Sequence, residues 1–304
     1  MNKNEIIERI SQLKAEKNAV LLAHNYARFE IQDIADLVGD SFALSRAAVD
    51  LDADMIVFAG VHFMAESAYI LSPNKTILLP DADAGCPMAD MVTVEALREA
   101  KKGLPNAAVV CYVNSSAAVK AESDVCCTSA NAREVISSIE EDEILFVPDK
   151  NLGRYVSKFT DKTVHLWDGF CPIHQQITAC DVISAKEKHP GSVFLAHPEC
   201  RPEVLELADG VFSTAGIIKY AAAAAESDFL IGTEQEMMHK LSLDSPDKAF
   251  HAVSKYAYCA NMKMATLPSI LNALETETTK ITVPEEIRVK AEKALERMLA
   301  AVPK

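Results

Sequence analysis

Three of the eight cysteines in this 304-residue chain, Cys86, Cys171 and Cys259, stand 85 and 88 residues apart, each after an apolar run. Such a period is what three similar units would give if each offered one thiol. Three thiolates facing one point suggest an iron–sulfur cluster, a group usually held by four. With three, one iron keeps an open position and can act as a Lewis acid on a substrate oxygen, which suits dehydration or lyase chemistry better than electron transfer. The plainer alternative is that each is a small buried hydrophobe. Local metal pairs exist too: Cys171-Pro172-Ile173-His174 has the spacing of half a zinc site, and His197-Pro198-Glu199-Cys200 packs three ligand types together. Neither is followed by a second pair at finger spacing. Cys111, Cys126, Cys127 and Cys180 read as packing residues.

His24, Tyr26, Tyr112, Asn114, His197 and Glu199 supply the donors, acceptors and carboxylate that general acid–base catalysis requires. Thr128-Ser129-Ala130-Asn131 and Ser213-Thr214-Ala215-Gly216 each follow an apolar run and open a helical one, so unpaired backbone N–H groups and hydroxyls point outward together and can take an anion. Ser129 and Ser213 read equally well as helix caps.

The elements that must position these groups follow from hydrophobic pattern. Apolar, β-branched-rich runs at 19–23, 55–59, 76–79, 107–113, 144–147, 163–167, 192–196, 210–212 and 229–231 read as buried strands. Amphipathic segments at 30–38, 41–51, 88–102, 131–140 and 217–226 alternate with them, so the class is α/β with parallel sheets. Polar clusters close the strands: His24-Asn25-Tyr26, Gly60-Val61-His62, Tyr112-Val113-Asn114, Pro148-Asp149-Lys150-Asn151 and His197-Pro198-Glu199. Ligands of parallel α/β proteins bind at such carboxyl ends. Two stretches look like copies: 15 residues separate Asn114 from Ser129 and Glu199 from Thr214, and each has an aspartate, Asp124 or Asp209, before its second motif. The expected architecture is three similar αβα units about a pseudo-threefold axis with a central active site: 1–86 completed by 268–304, then 87–171, then 172–267. Residues 284–301 read as an amphipathic helix begun by Pro284, packed on the first unit or on another subunit.

Composition narrows the partners. At 49% hydrophobic and 24% charged the chain is globular, and a net charge of −14 repels phosphate backbones and anionic lipid, which argues against nucleic-acid and membrane partners. The first ten residues alternate charged and apolar types at helical spacing without the apolar core of a secretory signal, so a cytoplasmic location is expected. Neither GxGxxG nor GxxxxGK[ST] occurs, which disfavours a nucleotide cofactor.

Ala23-His24-Asn25-Tyr26, Val38-Gly39-Asp40-Ser41, Gly60 to Glu66, Ala84-Gly85-Cys86, Tyr112-Val113-Asn114, Cys127-Thr128-Ser129, Pro148 to Gly153, Cys171-Pro172 with His174, His197-Pro198-Glu199-Cys200, Ser213-Thr214 and Cys259 with Met262-Lys263 together resemble the quinolinate synthase family of NAD biosynthesis, in collinear order over residues 20–270. The resemblance implies condensation of iminoaspartate with dihydroxyacetone phosphate to quinolinate, phosphate and two waters. It implies a central [4Fe–4S] cluster on Cys86, Cys171 and Cys259. It assigns proton transfers to Tyr26, His197 and Glu199, and substrate binding to His24, Ser41, Tyr112, Asn114, Ser129, Ser213 and Thr214. A transient contact with the enzyme that produces iminoaspartate would follow. Many members read His-Tyr-Tyr where this chain has His24-Asn25-Tyr26. Some carry a CxxCxxC run at the last cysteine, whereas Cys259 is followed by Ala260-Asn261-Met262-Lys263, so the redox disulfide proposed for such runs is absent. Two other readings compete: a zinc hydrolase using Cys171, His174 and His197 with Glu199 as base, and a non-catalytic dicarboxylate-binding or sensor protein.

Overall fold

The computed structural model describes residues 1–301, so the last three residues of the expected segment 268–304 lie outside the described residues. Among the described residues, twelve strands form three four-stranded, all-parallel sheets. The first holds β1 (Ala19–His24), β2 (Leu37–Gly39), β3 (Met55–Ala59) and β4 (Thr76–Leu78). The second holds β5 (Ala107–Tyr112), β6 (Val125–Cys127), β7 (Glu143–Val147) and β8 (Thr163–Leu166), and the third β9 (Val193–Ala196), β10 (Gly210–Val211), β11 (Asp228–Gly232) and β12 (Ala249–Ala252). Each sheet runs second, first, third, fourth strand across its width. The fold class is therefore α/β with three similar parallel-sheet units.

The repetition extends to single residues. The second strand of each sheet is preceded by an aspartate whose carboxylate accepts the backbone N–H of a residue in the first strand: Asp36 from Leu21 at 2.7 Å, Asp124 from Val109 at 2.8 Å, Asp209 from Phe194 at 2.7 Å. Each aspartate's own N–H donates back to the same partner's carbonyl, so a side chain extends the ladder where the backbone leaves off. A lysine stands before each fourth strand, and Lys75, Lys162 and Lys248 donate to carbonyls of the connection between the second and third strands of the same sheet. Lys75 and Lys248 do so at the ends of the helices Ser41–Asp50 and Thr214–Ala223, where carbonyls lack helical partners.

β3 is buried along its whole length and β7 and β11 beyond their first residues, as strands covered on both faces must be. Three expectations are corrected. Segment 30–38 is not one helix: a turn of helix, Phe29–Gln32, gives way to β2, because Asp36 commits the chain to the β1 ladder. Segment 88–102 is a short 3-10 turn, Ala89–Met91, followed by a helix that starts only at Val94, where the Thr93 hydroxyl accepts the Ala96 N–H. Cys180 is exposed, whereas Cys111, Cys126 and Cys127 are buried as expected. β12 was not anticipated, since Ala249-Phe250-His251-Ala252 is neither an apolar run nor a clean alternation.

The helix Glu285–Ala300 packs against the helices His62–Leu71 and Ala117–Ala121 and against β6, spanning the first and second sheets' layers. The Met298 carbonyl accepts from buried Asn131, and the Leu299 carbonyl accepts from Arg46. No helix is long and apolar enough to cross a membrane among the described residues.

Candidate active site

The three sheets point their carboxyl ends at one cavity. Equivalent positions of each unit reach it. The ends of the first strands bring His24 and Tyr26, Tyr112 and Asn114, and His197 and Glu199; the turns after the second strands bring Asp40 and Ser41, Thr128 and Ser129, and Thr214. The segments after the fourth strands bring Cys86, Cys171 and Cys259. Of the thirteen residues singled out in the sequence, twelve line the cavity. The exception is Ser213, whose side chain accepts the Gly216 N–H and caps the helix Thr214–Ala223. Ser129 is not a cap: its hydroxyl lies 3.1 Å from His197 Nε2.

The cavity thiols differ from the rest. Cys86, Cys171 and Cys259 are partly exposed, while Cys111, Cys126, Cys127 and Cys200 are buried. Cys259 adds to the rise in the pKa of Cys86, and Cys86 to that of Cys171. Burial is the larger cause, lifting Cys86 to about 12 and Cys171 and Cys259 above the usual thiol range. Two of the loops are fixed by buried carboxylates that the sequence reading did not single out. Asp149 accepts the Cys171 N–H at 3.1 Å and the Leu152 N–H at 2.6 Å. Glu234 accepts the Cys259 N–H at 3.1 Å and pairs with buried Lys263 at 2.8 Å, whose Nζ also donates to the Tyr26 carbonyl.

A continuous hydrogen-bonded chain crosses the cavity wall. Tyr112 donates its phenol to Glu199 Oε1 at 2.6 Å, and Glu199 Oε2 lies 2.7 Å from His174 Nδ1. His174 Nε2 is 2.8 Å from the Thr233 hydroxyl, which is 2.5 Å from the Tyr26 phenol. A carboxylate only accepts, so His174 carries its proton on Nδ1, its Nε2 accepts from Thr233, and Thr233 accepts from Tyr26. His174 also stacks on His197 with ring centroids 4.7 Å apart, and its Nδ1 is 3.2 Å from Cys171 Sγ.

Burial alone would raise Glu199, but His174, His197 and the Tyr112 hydrogen bond outweigh it and bring the carboxyl down to about 2. Burial, helped by Lys263, lowers His24 to about 3, and burial with the neighbouring His174 and His24 lowers His197 to about 3 against the pull of Glu199. Burial and then Glu199 raise Tyr26 and Tyr112 well above the ordinary phenol range. At neutral pH the site therefore holds an ionised acceptor, two neutral imidazoles and two protonated phenols. Asn114, which lines the cavity, has its Oδ1 buried without a hydrogen-bond partner, so the wall keeps acceptor capacity unspent.

Thr233, Asp149, Glu234, Lys263 and Asp40 are not singled out as site residues by the sequence pattern, although Asp40 and Lys263 lie within motifs that carry the resemblance. Asp149 stood within a polar strand end already noted, and Thr233-Glu234 closes β11 in the same manner. His174 was seen only as a metal ligand and as part of the resemblance.

The family model described as Quinolinate synthetase A protein matches residues 8–300. The chain is 58% identical over 295 residues to Quinolinate synthase 2 of Methanosarcina acetivorans, covering 97% of this chain and 95% of the relative. It is 57% identical over 300 residues to Quinolinate synthase of Methanosarcina barkeri and 55% over 300 residues to that of Geotalea uraniireducens, covering 99% of both chains in each case. Equivalent positions of three sheets meeting at one cavity, and relatives similar along nearly the whole length, place this chain in the quinolinate synthetase A family of enzymes.

Proposed function

We propose that this chain condenses iminoaspartate with dihydroxyacetone phosphate to quinolinate, phosphate and two waters, in the cytoplasm, using a [4Fe–4S] cluster held by Cys86, Cys171 and Cys259. The observation that carries the reading is the selection of thiols: three of eight cysteines, one after the fourth strand of each sheet, are partly exposed and face the same cavity. Their chemistry fits the group. Soft thiolate donors suit iron–sulfur ligation, and metal binding supplies the energy to deprotonate thiols that burial keeps protonated. When bound, such a cluster offers an iron with an open position that polarises a substrate oxygen. Units 1–86 with 268–304, 87–171 and 172–267 each contribute one ligand in this reading.

The protein's own groups divide the remaining work. Glu199, ionised and 2.6 Å from the Tyr112 phenol, accepts protons, and neutral His197 acts as a base toward a substrate C–H or N–H. Tyr26 stands at the far end of the hydrogen-bonded chain and passes a proton taken from substrate through Thr233 to His174 Nε2, and the ionised Glu199 stabilises the imidazolium that forms. His24, Ser41, Ser129 and Thr214 hold carboxylate and phosphate oxygens, with Ser213 acting through the helix start it caps. Tyr112 and the free carbonyl of Asn114 orient the carbon skeleton. Both substrates are anionic small molecules, and iminoaspartate is short-lived in water, which favours transfer from its producing enzyme during brief contact.

Anaerobic preparation should give about four irons and four sulfides per chain. Cys86→Ala, Cys171→Ala and Cys259→Ala should each lose the cluster and the release of quinolinate and phosphate. Full iron in all three variants overturns the ligand assignment. A second reading has one observation in its favour, the grouping of Cys171, His174 and Glu199 ligand atoms within 4.8 Å. A colourless, active protein with about one zinc would select that hydrolase reading.

A further inference from the structure

A second cluster of ligand-type side chains lies outside the cavity. Asp228 opens β11, His251 is on β12, and His189 ends the helix Ala179–Lys188. Asp228 pairs with Ala249 and Leu230 with His251, so Asp228 and His251 are diagonal neighbours on one face of the sheet. The His189 ring stacks on His251 with centroids 3.7 Å apart and planes 25° from parallel. One ligand atom from each of the three residues lies within 4.8 Å of the others. Asp228 Oδ1 is buried and makes no hydrogen bond, and its neighbour His251 Nε2 stands 3.5 Å away, too far for a good one. None of the three lines the catalytic cavity.

We propose that His189, His251 and Asp228 form a binding site for one divalent cation of the zinc type, which ties edge strand β12 to the helix Ala179–Lys188. Two imidazoles and a carboxylate are the donor set that zinc and its first-row neighbours prefer. Zn–N and Zn–O distances of about 2.0–2.2 Å at tetrahedral angles put ligand atoms about 3.4 Å apart, so binding draws the three together by up to about 1.4 Å. The ion takes up the unpartnered Asp228 oxygen. In the groove that holds the two histidines Lys188 and Lys255 outnumber Asp181, so no general negative field attracts a hard cation such as Ca2+ or Mg2+; retention rests on direct bonds to imidazole. The partly exposed position leaves room for a water as fourth ligand. β12 is hydrogen-bonded on one side only, and a bridge from its face to the helix gives it a second tie.

The test compares cluster-loaded wild type with His251→Gln, His189→Ala and Asp228→Asn. Each is equilibrated with ZnCl2, freed of unbound metal and analysed for zinc, and each is melted with and without ZnCl2. Because zinc held elsewhere on the chain is common to all four proteins, it cancels. The expected result is about one more zinc per chain in wild type than in either histidine variant, weaker retention in Asp228→Asn, and a zinc-induced rise in Tm, reversed by chelator, that the histidine variants lack. Quinolinate formation should be the same in all four, which shows that the variants are folded. Equal zinc content in wild type and both histidine variants, or an undiminished Tm rise in them, overturns the proposal.

Discussion

Thr233 is a side chain whose single hydroxyl serves two partners, accepting from Tyr26 and donating to His174 Nε2. Thr233→Val keeps the shape and removes the link, so the Tyr26 phenol is no longer joined to Glu199. The expected outcome is a fall in kcat of roughly 10- to 100-fold with KM little changed, the pattern of a lost proton-transfer path rather than of lost substrate binding. Glu199→Gln should cost more, about 100-fold or beyond, because an amide cannot remain an ionised acceptor for both Tyr112 and His174. Steady-state kinetics of quinolinate formation check both. The difference between these two residues also shows what a sequence can reveal. Glu199, Tyr112 and Tyr26 are polar residues at the ends of apolar strands and stand out. Thr233 closes β11 in the same way, but its partners lie 59 and 207 positions away in the chain, and only folding brings the three groups together.

At the scale of elements, the aspartate before each second strand is a device for ending a short edge. Asp209→Ala should remove the carboxylate that holds the Phe194 N–H at 2.7 Å and cost about 1–3 kcal/mol, read as a lower midpoint in urea unfolding. Two of these aspartates, Asp124 and Asp209, were visible as a 15-residue repeat. The third, Asp36, was hidden inside a segment whose spacing mimics a helix. β2 and β12 escaped notice for a related reason: short edge strands carry little apolar pattern, and pairing to a buried neighbour decides their conformation. Gly169 belongs to the same scale. A Cβ there would sit 2.4 Å from the Pro148 carbonyl oxygen, a backbone atom held in the turn that presents Asp149 to the Cys171 loop. Gly169→Ala should therefore lower stability by about 1–3 kcal/mol and also reduce cluster retention, whereas an alanine at Gly103, which has open space around it, should do neither.

The whole molecule joins the three units through one cavity, which concentrates buried ionisable groups where the sheets meet and couples its stability to acid. His24 and His197 are held neutral, with pKa values brought from 6.5 to about 3, chiefly by burial. Between those values the unfolded chain binds protons that the folded one refuses, so stability is present above pH 6.5 and declines as the pH falls toward 3. Glu199, lowered from 4.5 to about 2, acts in the same direction over a more acidic window, since its folded form resists the protonation that the unfolded form accepts. The two windows overlap, and the loss should steepen below pH 4.5. His24→Asn removes one refused proton while keeping a polar side chain. In the cluster-free protein, where no metal ligation competes, its Tm should fall less between pH 7 and pH 5 than that of wild type, even if it is lower at pH 7. Parallel Tm curves for the two proteins across that interval would show that His24 binds its proton as readily folded as unfolded, and would remove burial as the reason the imidazole is neutral at the site.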